Sequence, residues 1–213
     1  MAEPLVLALD TSTVVNVGLA QGGQVLGSAT IADRMAHVEQ LTPVIRDCLR
    51  RAGVRPVDLG QIVVGLGPGP FTGLRVGVVT AQILASVAGV RLRGICSLDV
   101  LAAQFADQSP GEFVVATDAR RREVYWAGYA PDGRRTTGPV VSAPDDVPRR
   151  PTIGPAVDLY PGRLLAAPGP RALDPGVLAV RGPGLPDAGR EPLYLRRPDA
   201  AEPTRRKSVL HGR

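Results

Sequence analysis

Leu5-Val6-Leu7-Ala8-Leu9-Asp10-Thr11-Ser12-Thr13 is an unbroken apolar run closed by one acid and a polar turn. The run reads as a strand covered on both faces. The short polar side chains after it can bond nearby backbone amides. Val14 to Ala20 reads as a second strand, Gly22-Gly23 as a two-residue hairpin turn, and Val25 to Ile31 as a third strand. About half the chain later, Phe113-Val114-Val115-Ala116-Thr117-Asp118 repeats the opening. It too is a strand ending on an acid, followed by a turn, a strand from Glu123 to Tyr129 and an Asp132-Gly133 turn. Two halves that begin alike predict a duplicated α/β unit.

Between the two openings lies a run of alternating helices and strands. Val38, Leu41, Val44, Ile45, Cys48, Leu49 and Ala52 recur at three- and four-residue steps, which predicts an amphipathic helix ending at Gly53. Ile62-Val63-Val64 predicts a strand that runs into Gly65-Leu66-Gly67-Pro68-Gly69-Pro70-Phe71-Thr72-Gly73. Leu74 to Val87 is helical and apolar nearly all round, so both of its sides need cover. A strand at Leu92–Ile95 and a helix from Leu98 to Ala106, capped by Ser97, complete this half. After Ala130 prolines are too frequent for long helices. Only short pieces near Thr152–Ile153, Val177–Val180 and Leu193–Leu195 are expected. The expected division is 1–109 as the first lobe, 110–198 as a smaller second lobe and 199–213 as a loose basic tail.

Composition narrows the class. A chain of 213 residues fits one large domain or two lobes, and 44% apolar residues suffice for a packed core. Residues 1–109 hold eight arginines and eight acids, so the whole net charge of +5 lies in 110–213, where most of the prolines also fall. The arginines are scattered in twos and threes among acids. A coding bias explains pI 9.9 better than an independent RNA-binding protein does. Two cysteines, Cys48 and Cys96, make no disulfide framework and read as reduced interior thiols. Met1-Ala2-Glu3-Pro4 lacks a basic signal-peptide region, and the apolar uncharged run between Arg75 and Arg91 has only 15 residues. A cytoplasmic protein without a membrane span is expected.

The catalytic inventory is thin. His37 and His211 are the two histidines, and no H-E-x-x-H, paired-cysteine or G-x-S-x-G motif occurs. The glycine run has the strand–loop–helix layout in which backbone amides cradle an anion, yet Leu74-Arg75 stands where a Walker loop needs Lys-Ser/Thr. Phosphate binding and a rigid turn for close packing both remain open. So do two roles for Asp10 and Asp118: paired ligands for Mg²⁺ across a cleft, or hydrogen-bonded turn acids.

Several strings resemble one family. They are Leu7-Ala8-Leu9-Asp10-Thr11-Ser12, His37-x-Glu39-x-Leu41-x-Pro43, Gly67-Pro68-Gly69-Pro70-Phe71-Thr72-Gly73-Leu74-Arg75-Val76-Gly77 and Ser97-Leu98-Asp99-Val100-Leu101-Ala102. In the second half they are Asp118-Ala119-Arg120 with Glu123-Val124-Tyr125, and Pro192-Leu193-Tyr194-Leu195-Arg196. Together they are similar to the bacterial TsaB (YeaZ) family. The resemblance implies an actin-like ATPase (ASKHA) fold of two ribonuclease-H-like lobes, with the second reduced. It implies a non-catalytic role in making N6-threonylcarbamoyladenosine beside the anticodon of tRNA, in support of the catalytic paralogue TsaD and with TsaE. That paralogue holds its metal with an H-x-x-x-H pair. Here His37 and Leu41 stand in that helix, so the resemblance implies no metal site.

The same resemblance implies that the first two helices contact TsaD or a second copy, through Leu41, Ile45, Leu74 and Val78. It implies no required cofactor, at most weak ATP and Mg²⁺ at the level of the complex, and tRNA met indirectly. Asp10, Thr11, Gly67, Gly69, Thr72 and Gly73 are the candidate nucleotide or anion loop. Two other readings stay in play: an ATP-binding enzyme of the actin-like class, and a ribonuclease-H-like nuclease, which would want a third acid.

Overall fold

The computed structural model describes residues 3–32 and 37–196, with the side chains of 37–39 outside that description. His211 and the expected 199–213 tail lie outside the described residues. The chain opens with β1 (Leu5–Asp10), β2 (Val15–Gln21) and β3 (Gln24–Ile31), an antiparallel meander. Helix α1 (His37–Arg51) leads to β4 (Gln61–Gly65), α2 (Phe71–Ala88), β5 (Arg91–Ile95) and α3 (Ser97–Phe105). β4 lies parallel to β1, and β5 lies parallel to β4, giving a five-stranded sheet of order β3-β2-β1-β4-β5.

The second half repeats this order in shortened form. β6 (Phe113–Asp118), β7 (Val124–Tyr129) and β8 (Arg135–Ser142) form the meander, and β9 (Thr152–Ile153) runs parallel to β6. The sheet order β8-β7-β6-β9 is the first sheet's order without its fifth strand. A single 3-10 turn, Pro144–Asp146, stands where the first half has α1. This is a two-lobed actin-like architecture with a reduced second lobe. Only short helices follow, α4 (Ala156–Leu159) and α5 (Pro175–Arg181).

Alternation along the strands builds three apolar layers. Leu5, Leu7 and Leu9 point to one face with Val17 and Leu19, where Leu41, Ile45 and Val78 from α1 and α2 cover them. Val6 and Ala8 point to the other face and meet α3, Leu178 and Ala179 of α5, and the inner face of the second sheet through Phe113, Val115 and Tyr129. Val114, Ala116 and Trp126 turn outward beneath α4. Each fully buried leucine here contributes about 1.5–3 kcal/mol of transfer free energy.

Three expectations need correcting. Arg135–Ser142 is a full strand where the sequence promised no regular element. Its Gly138-Pro139 pair mimics a loop signal, and the strand sits at the sheet edge, where proline costs no ladder bond. The stretch 110–198 does not pack as one lobe. Residues 174–196 return to the first sheet, with α5 on its strands, Ala188 N donating to Gly94 O and Leu193 N donating to Leu66 O. Lastly, Leu41, Ile45, Leu74 and Val78 are core residues and cannot present a partner surface. Periodicity had marked the apolar positions correctly. In α2, however, both faces are apolar, and periodicity could not say which one meets the sheet.

Helix α2 spans 18 residues at a mean hydropathy of 1.5, which is long and apolar enough by length and composition to cross a membrane. Its sheet-facing side (Leu74, Gly77, Val78, Ala81, Ala85) is part of the core.

Candidate functional site

Two features meet near the carboxyl ends of the first sheet's parallel strands, and a third lies on the outer face of α2. The first is a sealed polar corner. Asp10 ends β1 fully buried, and its Oδ1 accepts from the Ser12 amide at 2.9 Å and the Ser12 hydroxyl at 2.7 Å. Its Oδ2 accepts from Ser97 Oγ at 2.5 Å, and Ser97 Oγ in turn accepts from the Gly67 amide at 3.0 Å. Thr11 Oγ1 donates to Gly73 O at 2.7 Å. The glycines are what let this corner close. A Cβ at Gly69 would lie 2.5 Å from Ser12 O, and one at Gly77 would lie 2.2 Å from Thr11 Oγ1. Close packing is therefore a role the glycine run performs, whatever else it binds.

Burial pushes the Asp10 carboxyl above its ordinary value, and the hydrogen bonds from Ser97 and Ser12 pull it part of the way back. A carboxyl with a raised pKa holds its proton more readily in the native state than in the unfolded chain. Its cost to stability is absent below the ordinary value of 3.8 and grows as pH rises through the folded value. Asp10→Asn cannot ionise and keeps the acceptor for Ser12. Its unfolding free energy is expected to gain on the parent as pH rises from 4 toward neutrality. Parallel denaturant-unfolding curves for the two proteins across that range would refute the assignment.

The second feature is a cleft of about 820 Å³ between the lobes. The first lobe supplies Ser12, Thr13, Gly69, Thr72 and Gly73, and the second supplies Thr117, Asp118 and Arg120. Asp10, Thr11 and Gly67 do not line it. The candidate loop is thus split: Gly69, Thr72 and Gly73 reach the cleft, and the other three are sealed behind them. Asp118 faces the cleft while its Oδ1 accepts from the Arg120 amide at 2.8 Å. Asp10 is sealed behind the cleft wall, so the two acids do not both face the cleft. Among the described residues, no three His, Cys, Asp or Glu side chains gather as metal ligands.

A buried polar link that the sequence reading missed ties the lobes behind this cleft. Tyr129 of β7 donates to Asp99 Oδ1 of α3 at 2.8 Å, and Arg135 of β8 stands 3.6 Å from the same oxygen. Burial raises the Asp99 carboxyl, with Arg135 opposing. The adjacent Cys96 thiol is pushed up to about 12, so it stays protonated.

The third feature is the outer face of α2. Val79, Ile83 and Val87, at successive i+4 steps, are 49%, 58% and 76% exposed. They form an exposed apolar ridge on a helix whose opposite side is core. The signal was present in the sequence as the helix's missing polar face.

With this geometry described, comparison with known proteins is informative. The sequence-family model of TsaD, tRNA N6-adenosine threonylcarbamoyltransferase, matches residues 24–160. An uncharacterized protein of Mycobacterium tuberculosis is 43% identical over 202 residues, covering 92% of this chain and 93% of that protein. The tRNA threonylcarbamoyladenosine biosynthesis protein TsaB of Escherichia coli is 36% identical over 130 residues, 60% of this chain and 55% of that protein. The chain belongs to the TsaB (YeaZ) family. A solved structure from Pseudomonas aeruginosa, described as an uncharacterized protein with similarity to peptidase YeaZ, superposes with a TM-score of 0.75 at 28% identity. It covers 91% of this chain and all of that one, so the TsaB-family likeness extends through the reduced second lobe.

Proposed function

We propose that this chain is the non-catalytic scaffold subunit of a cytoplasmic tRNA-modifying complex. In that role it supports a TsaD-type paralogue, with TsaE, in forming N6-threonylcarbamoyladenosine next to the anticodon. The observation that carries the reading is the exposed Val79, Ile83 and Val87 ridge on a TsaB-family chain. It is the surface through which the chain would hold TsaD, or a second copy of itself when alone. The sealed Asp10 corner agrees with a fold kept for support, because its carboxylate is committed to Ser12 and Ser97.

The test is reconstitution of tRNA modification with and without the full chain. The product is expected only when the chain is present, and normal modification in its absence overturns the reading. The rival reading, an ATP-using enzyme of the actin-like class, draws on the cleft with Thr13, Thr72 and Gly73 in its wall. Titration calorimetry with ATP and Mg²⁺ separates the two. Weak or no heat from the isolated chain fits the scaffold, and tight binding favours the enzyme.

A further inference from the structure

Three arginines consecutive in the sequence stand at one end of the second sheet. β6 stops at Asp118 and β7 starts at Val124, so Arg120, Arg121 and Arg122 form the tip of the hairpin. All three are exposed, and all three have left-handed backbone angles, with φ of 59°, 52° and 63°. Among the described residues they are the only non-glycine residues with positive φ. Glycine or asparagine is the low-strain choice in that region, and strained backbone tends to persist where it serves a site.

The turn is nonetheless held firmly. Ala119 N donates to Glu123 O at 3.0 Å, Glu123 N donates to Arg120 O at 3.0 Å, and Asp118 Oδ1 accepts from the Arg120 amide. Its other acid is engaged as well: Glu123 pairs with Arg196, whose Nη1 also donates to Ala119 O at 3.1 Å. The described chain ends at Arg196, directly beside the turn.

We propose that the Arg120-Arg121-Arg122 turn contacts the phosphate backbone of tRNA directly, an inference that rests on the tRNA-modification reading above. Guanidinium groups match phosphate oxygens as bidentate donors. Three of them in a row on a rigid, exposed tip suit a repeating phosphodiester better than a single small anion. No base specificity follows, because phosphate contacts position a nucleic acid without reading it.

The probe is unmodified tRNA, and the protein is the full chain alone. Affinity is measured across a KCl series for the parent, for R120N/R121N/R122N and for R120K/R121K/R122K. Asparagine accepts left-handed backbone, so the first variant keeps the turn. It is expected to bind tRNA at least about tenfold more weakly at low salt. Its slope of log affinity against log salt is expected to shrink by about 2–3, roughly one per lost contact. The lysine variant should keep most of the slope.

Equal affinity and slope for the parent and the asparagine variant would overturn the proposal. So would equal losses in the lysine and asparagine variants, since charge would then be irrelevant. Loss of protein-partner capture with unchanged tRNA affinity would overturn it too, by making the turn a protein contact. The assay needs no modification chemistry, so its failure is distinct from failure of the reconstitution.

Discussion

Replacing Ile83 with Asp is expected to leave the chain folded and to weaken capture of a TsaD partner by at least about 100-fold. Ile83 sits on the solvent side of α2, between Val79 and Val87, and its side chain contributes nothing to the two apolar layers around the first sheet. In the free chain, Asp there meets water at little cost beyond a few tenths of a kcal/mol of helix propensity. In a closed interface the same carboxylate would be stripped of water without a partner, at a cost of about 3 kcal/mol or more. That is a factor of roughly 150 in affinity. Leu74→Asp is the contrasting control: Leu74 is fully buried one helical face away, and the variant should fail to fold. Co-purification and a thermal melt on each variant separate the two outcomes. Intact capture by a folded Ile83→Asp chain would remove the ridge from the interface.

Gly65→Ala is expected to cost about 2–6 kcal/mol of folding stability. The added Cβ would fall 1.8 Å from Asp10 Oδ2 and 2.8 Å from Ser97 Oγ. Neither neighbour can yield cheaply. Asp10 is fixed by two hydrogen bonds from Ser12, and Ser97 is fixed between Asp10 and the Gly67 amide. Overpacking alone costs about 1–3 kcal/mol. Prising Ser97 from the Asp10 carboxyl leaves a buried polar group unpaired, for about 1–3 kcal/mol more. Chemical denaturation gives the sum directly. A loss below 1 kcal/mol would mean that the corner is looser than its distances state.

How far the sequence reveals all this depends on where each signal arises. β1, the glycine run and α3 were legible because their patterning is set by local burial on both sides. Asp10 was visible as an acid at a strand end, but a turn acid in water and one in a sealed corner look alike in sequence. What marks the difference is glycine at Gly65 and Gly77, and it speaks only once the neighbours are known. β8 was hidden because its edge position, which makes Pro139 tolerable, is a property of the sheet. α5 had a legible start, since Asp174 accepts from the Gly176 and Val177 amides. Its destination on the first sheet was not legible, because no local pattern records which surface a short helix will cover. The arginines at 120–122 are legible in the sequence as a run, but their place at an exposed hairpin tip is a property of the fold.

The return of α5 also bears on how the protein is made. A Cβ at Gly18 of β2 would stand 1.9 Å from Pro175 O, so the two backbones touch without a side chain between them. The contact joins the second strand of the chain to a helix more than 150 positions later in the sequence. While the chain emerges from the ribosome, N-terminal end first, the inner face of β1 and β2 has no cover from α5 until nearly all of it has been synthesised. Full cover of the opening meander therefore waits on one of the most distant contacts in the molecule, and contacts of such long sequence separation form slowly. The apolar face of that meander is the surface a nascent chain must shield longest.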